Sequence, residues 1–115
     1  MPLTAPDLER FQEASSRATR ELEAESPGLP YAVAASRAAR RAIAAAGYDP
    51  DRTVAAWLSP SFTDDLATRR AADNLLSVIL GDPAGAEDFE QILQELSPAL
   101  QDAARERRAR HNGRP

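Results

Sequence analysis

With 115 residues, 43% hydrophobic content rich in alanine, and one Trp, two Tyr and three Phe, the chain fits one domain with a modest core. It has no cysteine and no lysine, and His111 is its one histidine, which excludes disulfides, thiolate metal sites, Schiff bases and Walker-type phosphate loops. The net charge of −4 is uneven: residues 47–104 carry −8 and residues 105–115 carry +4, an acidic body with a basic end.

The first helix is predicted to start at Thr4, where Thr4 and Asp7 have capping-box spacing and Pro6 fits the first turn. Leu8, Phe11, Ala14, Ala18 and Leu22 then recur at steps of three and four as one apolar stripe, and Ser26-Pro27-Gly28 stops the helix. A second helix runs from about Pro30 to Ala46. Its inner side is nearly all alanine (Ala34, Ala35, Ala38, Ala39, Ala42 and Ala46, with Ile43), its other side carries Arg37, Arg40 and Arg41, and Gly47 is placed for a C-cap. Asp49-Pro50 reads as a helix start, because the carboxylate accepts from unpaired amides while proline occupies the first turn. The short third helix has Val54, Trp57 and Leu58 on one face and ends at Ser59-Pro60.

A fourth helix is expected over residues 64–80, capped by Thr63, with Leu66, Ala72, Leu75, Leu76 and Ile79 facing in. The fifth begins between Pro83 and Ala86 and carries Phe89, Ile92, Leu93 and Leu96. Leu96, Leu100 and Ala103 stay in phase across Pro98, so a kinked or restarted helix should continue to about Arg108. No segment alternates β-branched and polar residues. The expected fold is all-α, an antiparallel bundle or array of about five short helices without strands. Residues 1–104 form its single domain, and residues 105–115 a basic, partly frayed tail.

The stretch AAGYDPDRTVAAWLSPSF, residues 45–62, gathers residue types that are scarce elsewhere in the chain. Most of it is punctuation between helices; Tyr48, Arg52 and one edge of Trp57 remain as candidate contacts to a partner, aromatic and arginine side chains being typical anchors of interfaces. A calcium loop is not expected, since Pro50 and Arg52 fill intervening positions and no Glu follows at the required distance. GDPAG at 81–85 reads as a helix stop and a new first turn, and Asp73, Asp88 and Glu95 as solvated carboxylates. No catalytic residue, cofactor or metal site is therefore expected.

Arg105, Arg107, Arg108 and Arg110, followed by Arg114, form a basic run suited to docking on an acidic protein surface. The same run would suit phosphate contacts to nucleic acid, or a solvated helix end that complements the dipole. A helix–turn–helix around Gly47 would place Asp49 and Asp51 where base-reading residues belong.

From Arg40 and Ile43 through Gly47 and Pro50 to Ala56-Trp57-Leu58 and Phe62, the residue order slightly resembles the helical hairpin of the small cyanobacterial Rubisco-assembly chaperones. That family's tyrosine-rich lead-in is missing, with only Tyr31 nearby, and so is its later Arg-Glu signature. The resemblance implies a helical assembly factor. Composition and charge lead to a similar expectation: a non-enzymatic helical interaction protein that regulates or assists another protein, working as a homodimer. A nucleic-acid-binding regulator using the arginine-rich end is the alternative. The first residues lack a basic stretch followed by an apolar run, and Leu75–Leu80 is far short of a membrane span, so a cytoplasmic protein away from membranes is expected. Exclusive use of arginine, with abundant alanine and proline, reads as the coding bias of a GC-rich bacterial genome.

Overall fold

The computed structural model describes residues 4–112, which form six helices and no strands. These are α1 (Ala5–Glu25), α2 (Tyr31–Ala45), α3 (Pro50–Leu58), α4 (Leu66–Leu80), α5 (Ala86–Glu95) and α6 (Pro98–Asn112). The sixth arises at Pro98. Leu96 adopts an extended backbone with ψ 152°, and proline, which can neither donate nor follow a helical residue comfortably, opens a new helix. The Gln101 side chain then donates to the carbonyls of Leu93 (2.8 Å), which also accepts from the Leu96 amide, and Leu96 (3.1 Å), so it caps the end of α5.

Helix α2 is the centre of the molecule, packed by α1, α3, α4 and α5. Small side chains make this possible: Ala34, Ser36, Ala38 and Ala39 are at most 1% exposed, and their short side chains let neighbouring helices approach from several directions. Ser36 is fully buried, and its hydroxyl donates to the Ile79 carbonyl on α4 at 2.7 Å, which ties the two helices together without an unsatisfied polar atom. Around this axis Leu8, Val33, Ile43, Val54, Trp57, Leu75, Ile79 and Ile92 build one continuous core.

Helix starts and stops follow local chemistry. At α1, the Thr4 amide and hydroxyl both donate to Asp7, whose carboxyl is held below its usual range first by that backbone donor. Two buried hydroxyls replace part of the expected alanine stripe on α1: Ser15 and Thr19 face in, the Thr19 hydroxyl donating to the Ser15 carbonyl at 2.7 Å. At the end of α2, the Gly47 amide bonds to the Ala44 carbonyl and the Tyr48 amide to the Ile43 carbonyl, with φ +95° at Gly47, the paired pattern of a Schellman cap.

The start of α4 differs from expectation. Asp65, not Thr63, is the cap: its carboxylate accepts from the Thr68 amide (2.9 Å) and hydroxyl (2.6 Å), while the Thr63 hydroxyl accepts from the Asp65 amide. Leu66 is consequently 61% exposed, because the buried stripe of Thr68, Ala72, Leu75, Leu76 and Ile79 runs on another side of the helix. The loop leading into α4 is organised by Arg69, whose guanidinium donates to the carbonyls of Trp57, Ser59, Pro60 and Thr63 and lies 5.5 Å from the Phe62 ring centroid.

Helix α4 ends at Gly81, with φ +70°, where an added Cβ would meet Ile92 Cδ1 at 2.7 Å. Gly81→Ala is expected to destabilise by about 2–3 kcal/mol, combining left-handed strain with overpacking. Gly47→Ala, with nothing within 4 Å of its added Cβ, should cost about 1 kcal/mol from strain alone. Chemical denaturation of the two variants checks the order. No helix among the described residues is long and apolar enough to cross a membrane.

Candidate functional site

The basic end does not hang free. The helix expected to reach about Arg108 before a partly frayed end continues to Asn112, so residues 105–112 are the last turns of α6, and two of its four arginines point into the body. Arg108 donates to the carbonyls of Asp82 (3.2 Å) and Ala84 (2.6 Å), with its guanidinium 4.5 Å from the Phe89 ring centroid. Arg107 donates to the Ser77 hydroxyl at 3.2 Å and faces the buried Asp82 carboxylate at 3.7 Å. The reason is local: the turn between α4 and α5 presents carbonyls and a carboxylate that no helix satisfies, and α6 passes close enough to supply donors. Arg105 and Arg110 are exposed but paired within the helix, with Asp102 at 3.4 Å and Glu106 at 2.7 Å. Arg114 lies outside the described residues.

Trp57 is likewise not a surface contact. It is 1% exposed and its ring centroid lies 6.4 Å from that of Phe11, so the edge that would have met a partner is inside the core. Tyr48 and Arg52 do reach solvent. Tyr48 is 42% exposed and stands edge-on to Phe11, centroids 5.9 Å apart and planes at 83°. Arg52 has a side chain 90% exposed, with only a long 3.7 Å pairing to Asp49.

Around these two residues lies a surface that the sequence pattern did not single out. Every residue from Ala44 to Asp49 is exposed, although Ala46 was expected to face the core. The last turn of α2 and the cap after it thus face solvent, Ile43 alone of that turn being fully buried. On one side, Phe11 and Ala14 of α1, Ala42 and Ala45 of α2, its cap residue Ala46, and Tyr48 line an open groove of about 450 Å³ together with Asp7 and Arg10.

On the other side of α2 stand Arg37, Arg40 and Arg41. Arg37 and Arg40 converge on Glu95 at the end of α5, at 2.6 Å each to separate carboxylate oxygens. Burial alone would raise the Glu95 pKa, but the hydrogen bonds from both arginines outweigh it and hold the carboxyl below its usual range. The same bonds push Arg37 further up. These arginines do not merge with those of α6: the two sets engage opposite ends of α5, a helix about 15 Å long.

A second, smaller apolar groove of about 260 Å³ lies between α2 and α4, with Ala35, Val78 and Gly81 in its floor and Tyr31, 67% exposed, at its rim. Among the described residues no group of three or more His, Cys, Asp or Glu side chains is placed to hold a metal ion. Tyr31 and the exposed alanines escaped sequence reading because each belongs to a helix whose other residues are buried; only the neighbours that fail to cover them reveal them. No protein-family model, no curated protein and no solved structure matches this chain.

Proposed function

We propose that this chain is a non-enzymatic helical interaction module, regulating or assisting a protein partner or pairing with a second copy of itself, and that the corner between α2 and α3 is its contact face. One observation carries the reading: six consecutive residues, Ala44 to Asp49, are exposed, with a half-exposed tyrosine fixed edge-on against Phe11 and a solvent-facing Arg52, held only by a long pairing to Asp49, close in sequence. Tyrosine and arginine supply much of the energy at interfaces, and a tyrosine already held in place loses little entropy on binding. The alanine floor beside it allows a helix to approach closely. Internal use of Arg107 and Arg108 leaves the basic run fewer free charges for phosphates or for an acidic protein surface alike, so the reading rests on the α2–α3 corner and not on that run.

The test joins sedimentation velocity with co-purification from the native host. The wild-type chain should self-associate or recover a defined protein. Tyr48→Ala should weaken that association about tenfold or more, as an interface anchor does, while shifting the unfolding midpoint little. A monomer that recovers no protein, or a Y48A variant that associates as well as wild type, would overturn the reading.

A further inference from the structure

Arg37, Arg40, Arg41 and Ala44 share one side of α2 at helical spacing, and Pro50 and Glu95 complete an open groove of about 510 Å³ around them. Glu95 is the one carboxylate in its lining, so three guanidiniums face a single negative charge. Arg37 and Arg40 are held partly out of water, with side chains 29% and 18% exposed, whereas Arg41 is exposed and forms no ion pair among the described residues. The nearby Asp49 is already engaged, accepting from the Asp51 amide and pairing with Arg52.

Donor capacity is in excess as well as charge. Both Glu95 oxygens are used, accepting from Arg37 Nη2 (2.6 Å), Arg37 Nε (3.3 Å) and Arg40 Nη2 (2.6 Å). Each guanidinium carries five N–H groups, so most of those on Arg37 and Arg40 remain after Glu95 is served. Glu95 thus holds two planar donors in a fixed orientation without neutralising them. Two surplus positive charges and oriented forks match a dianionic oxyanion better than a single carboxylate.

We infer that this groove is a binding site for an oxyanion of the phosphate class, with the Glu95-fixed pair of Arg37 and Arg40 supplying oriented donors and Arg41 the free charge. The groove adjoins the proposed contact face, with Ala44 common to both, but Tyr48 and Arg52 are not in its lining and the inference does not depend on that reading. The anion is either free or carried as a phosphate ester on another molecule.

The test is isothermal titration of inorganic phosphate into the full chain, at ionic strength held constant with chloride. Saturable binding is expected. Arg41→Ala, at an exposed position, should weaken it about tenfold, the equivalent of one charge-assisted bond, and Arg41→Lys should fall between the two. Glu95→Gln should bind phosphate more tightly than wild type, since it removes the one negative charge in the lining while its amide oxygen can still accept from the arginine pair; if that variant does not fold, the Arg41 series decides alone. A short phosphoserine peptide, titrated beside its unphosphorylated form, separates the sources: binding equal to that of inorganic phosphate assigns the site to a free anion, and tighter binding to a carried phosphate ester. No saturable heat with wild type, or equal affinities for wild type and R41A, would overturn the inference. Y48A should leave phosphate binding unchanged, so failure here and failure of the contact-face reading are distinguishable.

Discussion

Trp57→Ala should lower the unfolding free energy by about 3–5 kcal/mol, the range for removing a fully buried aromatic side chain. Helix α3 is nine residues long and buries only Val54 and Trp57 fully, so its docking rests on two side chains. The indole also backs Phe11, and Phe11 in turn supports the exposed Tyr48 ring. Its loss should therefore loosen the corner after α2 as well as the core. A small domain has a total stability of about 5–15 kcal/mol, so this one change removes a large share of it. The measurement is urea unfolding followed by far-ultraviolet circular dichroism, because the substitution deletes the one tryptophan fluorophore. Trp57→Phe should lose less than half as much, since it keeps an aromatic face against Phe11. Wild-type emission should be blue-shifted and poorly quenched by iodide. A W57A variant within about 1 kcal/mol of wild type would mean that the indole contributes no more than an average surface side chain.

Caps and breaks, apart from the start of α4, were legible in the sequence because they are set by neighbours a few residues away. Thr4 with Asp7, Asp49-Pro50, Gly47 and the restart at Pro98 all behave as their local chemistry dictates. Arginine roles were not legible in this way. Arg69, which no pattern in the sequence marks, braces the preceding loop; Arg108, Arg107 and Arg37 meet acceptors 24, 30 and 58 residues away. No periodicity marks a guanidinium that turns inward, because its long side chain can satisfy distant carbonyls while its backbone position looks exposed. Leu66 was misplaced for a related reason: a helix that starts two residues later leaves it in the first turn, off the buried stripe. The contact face shrank for the opposite reason. Tyr48 lies in the turn after α2 and Arg52 in the first turn of α3, where local sequence does decide exposure, whereas the fate of Trp57 depended on how α3 packs.

Glu95→Gln should destabilise the protein at neutral pH by about 2 kcal/mol, because it leaves two partly buried guanidiniums without their shared counter-charge. Replacing a carboxylate of depressed pKa also fixes the shape of the pH dependence. In the unfolded chain Glu95 titrates near its ordinary value of 4.5, and in the folded chain below it. The stability it contributes is thus fully present above about pH 4.5, and is lost as pH falls through the lower folded value. Protonated Glu95 is a near-isostere of glutamine, so wild type and E95Q should converge at low pH while remaining apart at neutrality. Urea midpoints measured across this range check it, and two parallel curves would show that the carboxylate charge is not what holds the α2–α5 contact. E95Q should keep a shallower acid limb of its own, since Asp7 and Asp65 also titrate low through donors from Thr4 and Thr68. If the arginine pair is the oriented half of an oxyanion site, phosphate should restore more stability to E95Q than to wild type at equal ionic strength, the added anion taking the place that the carboxylate has left.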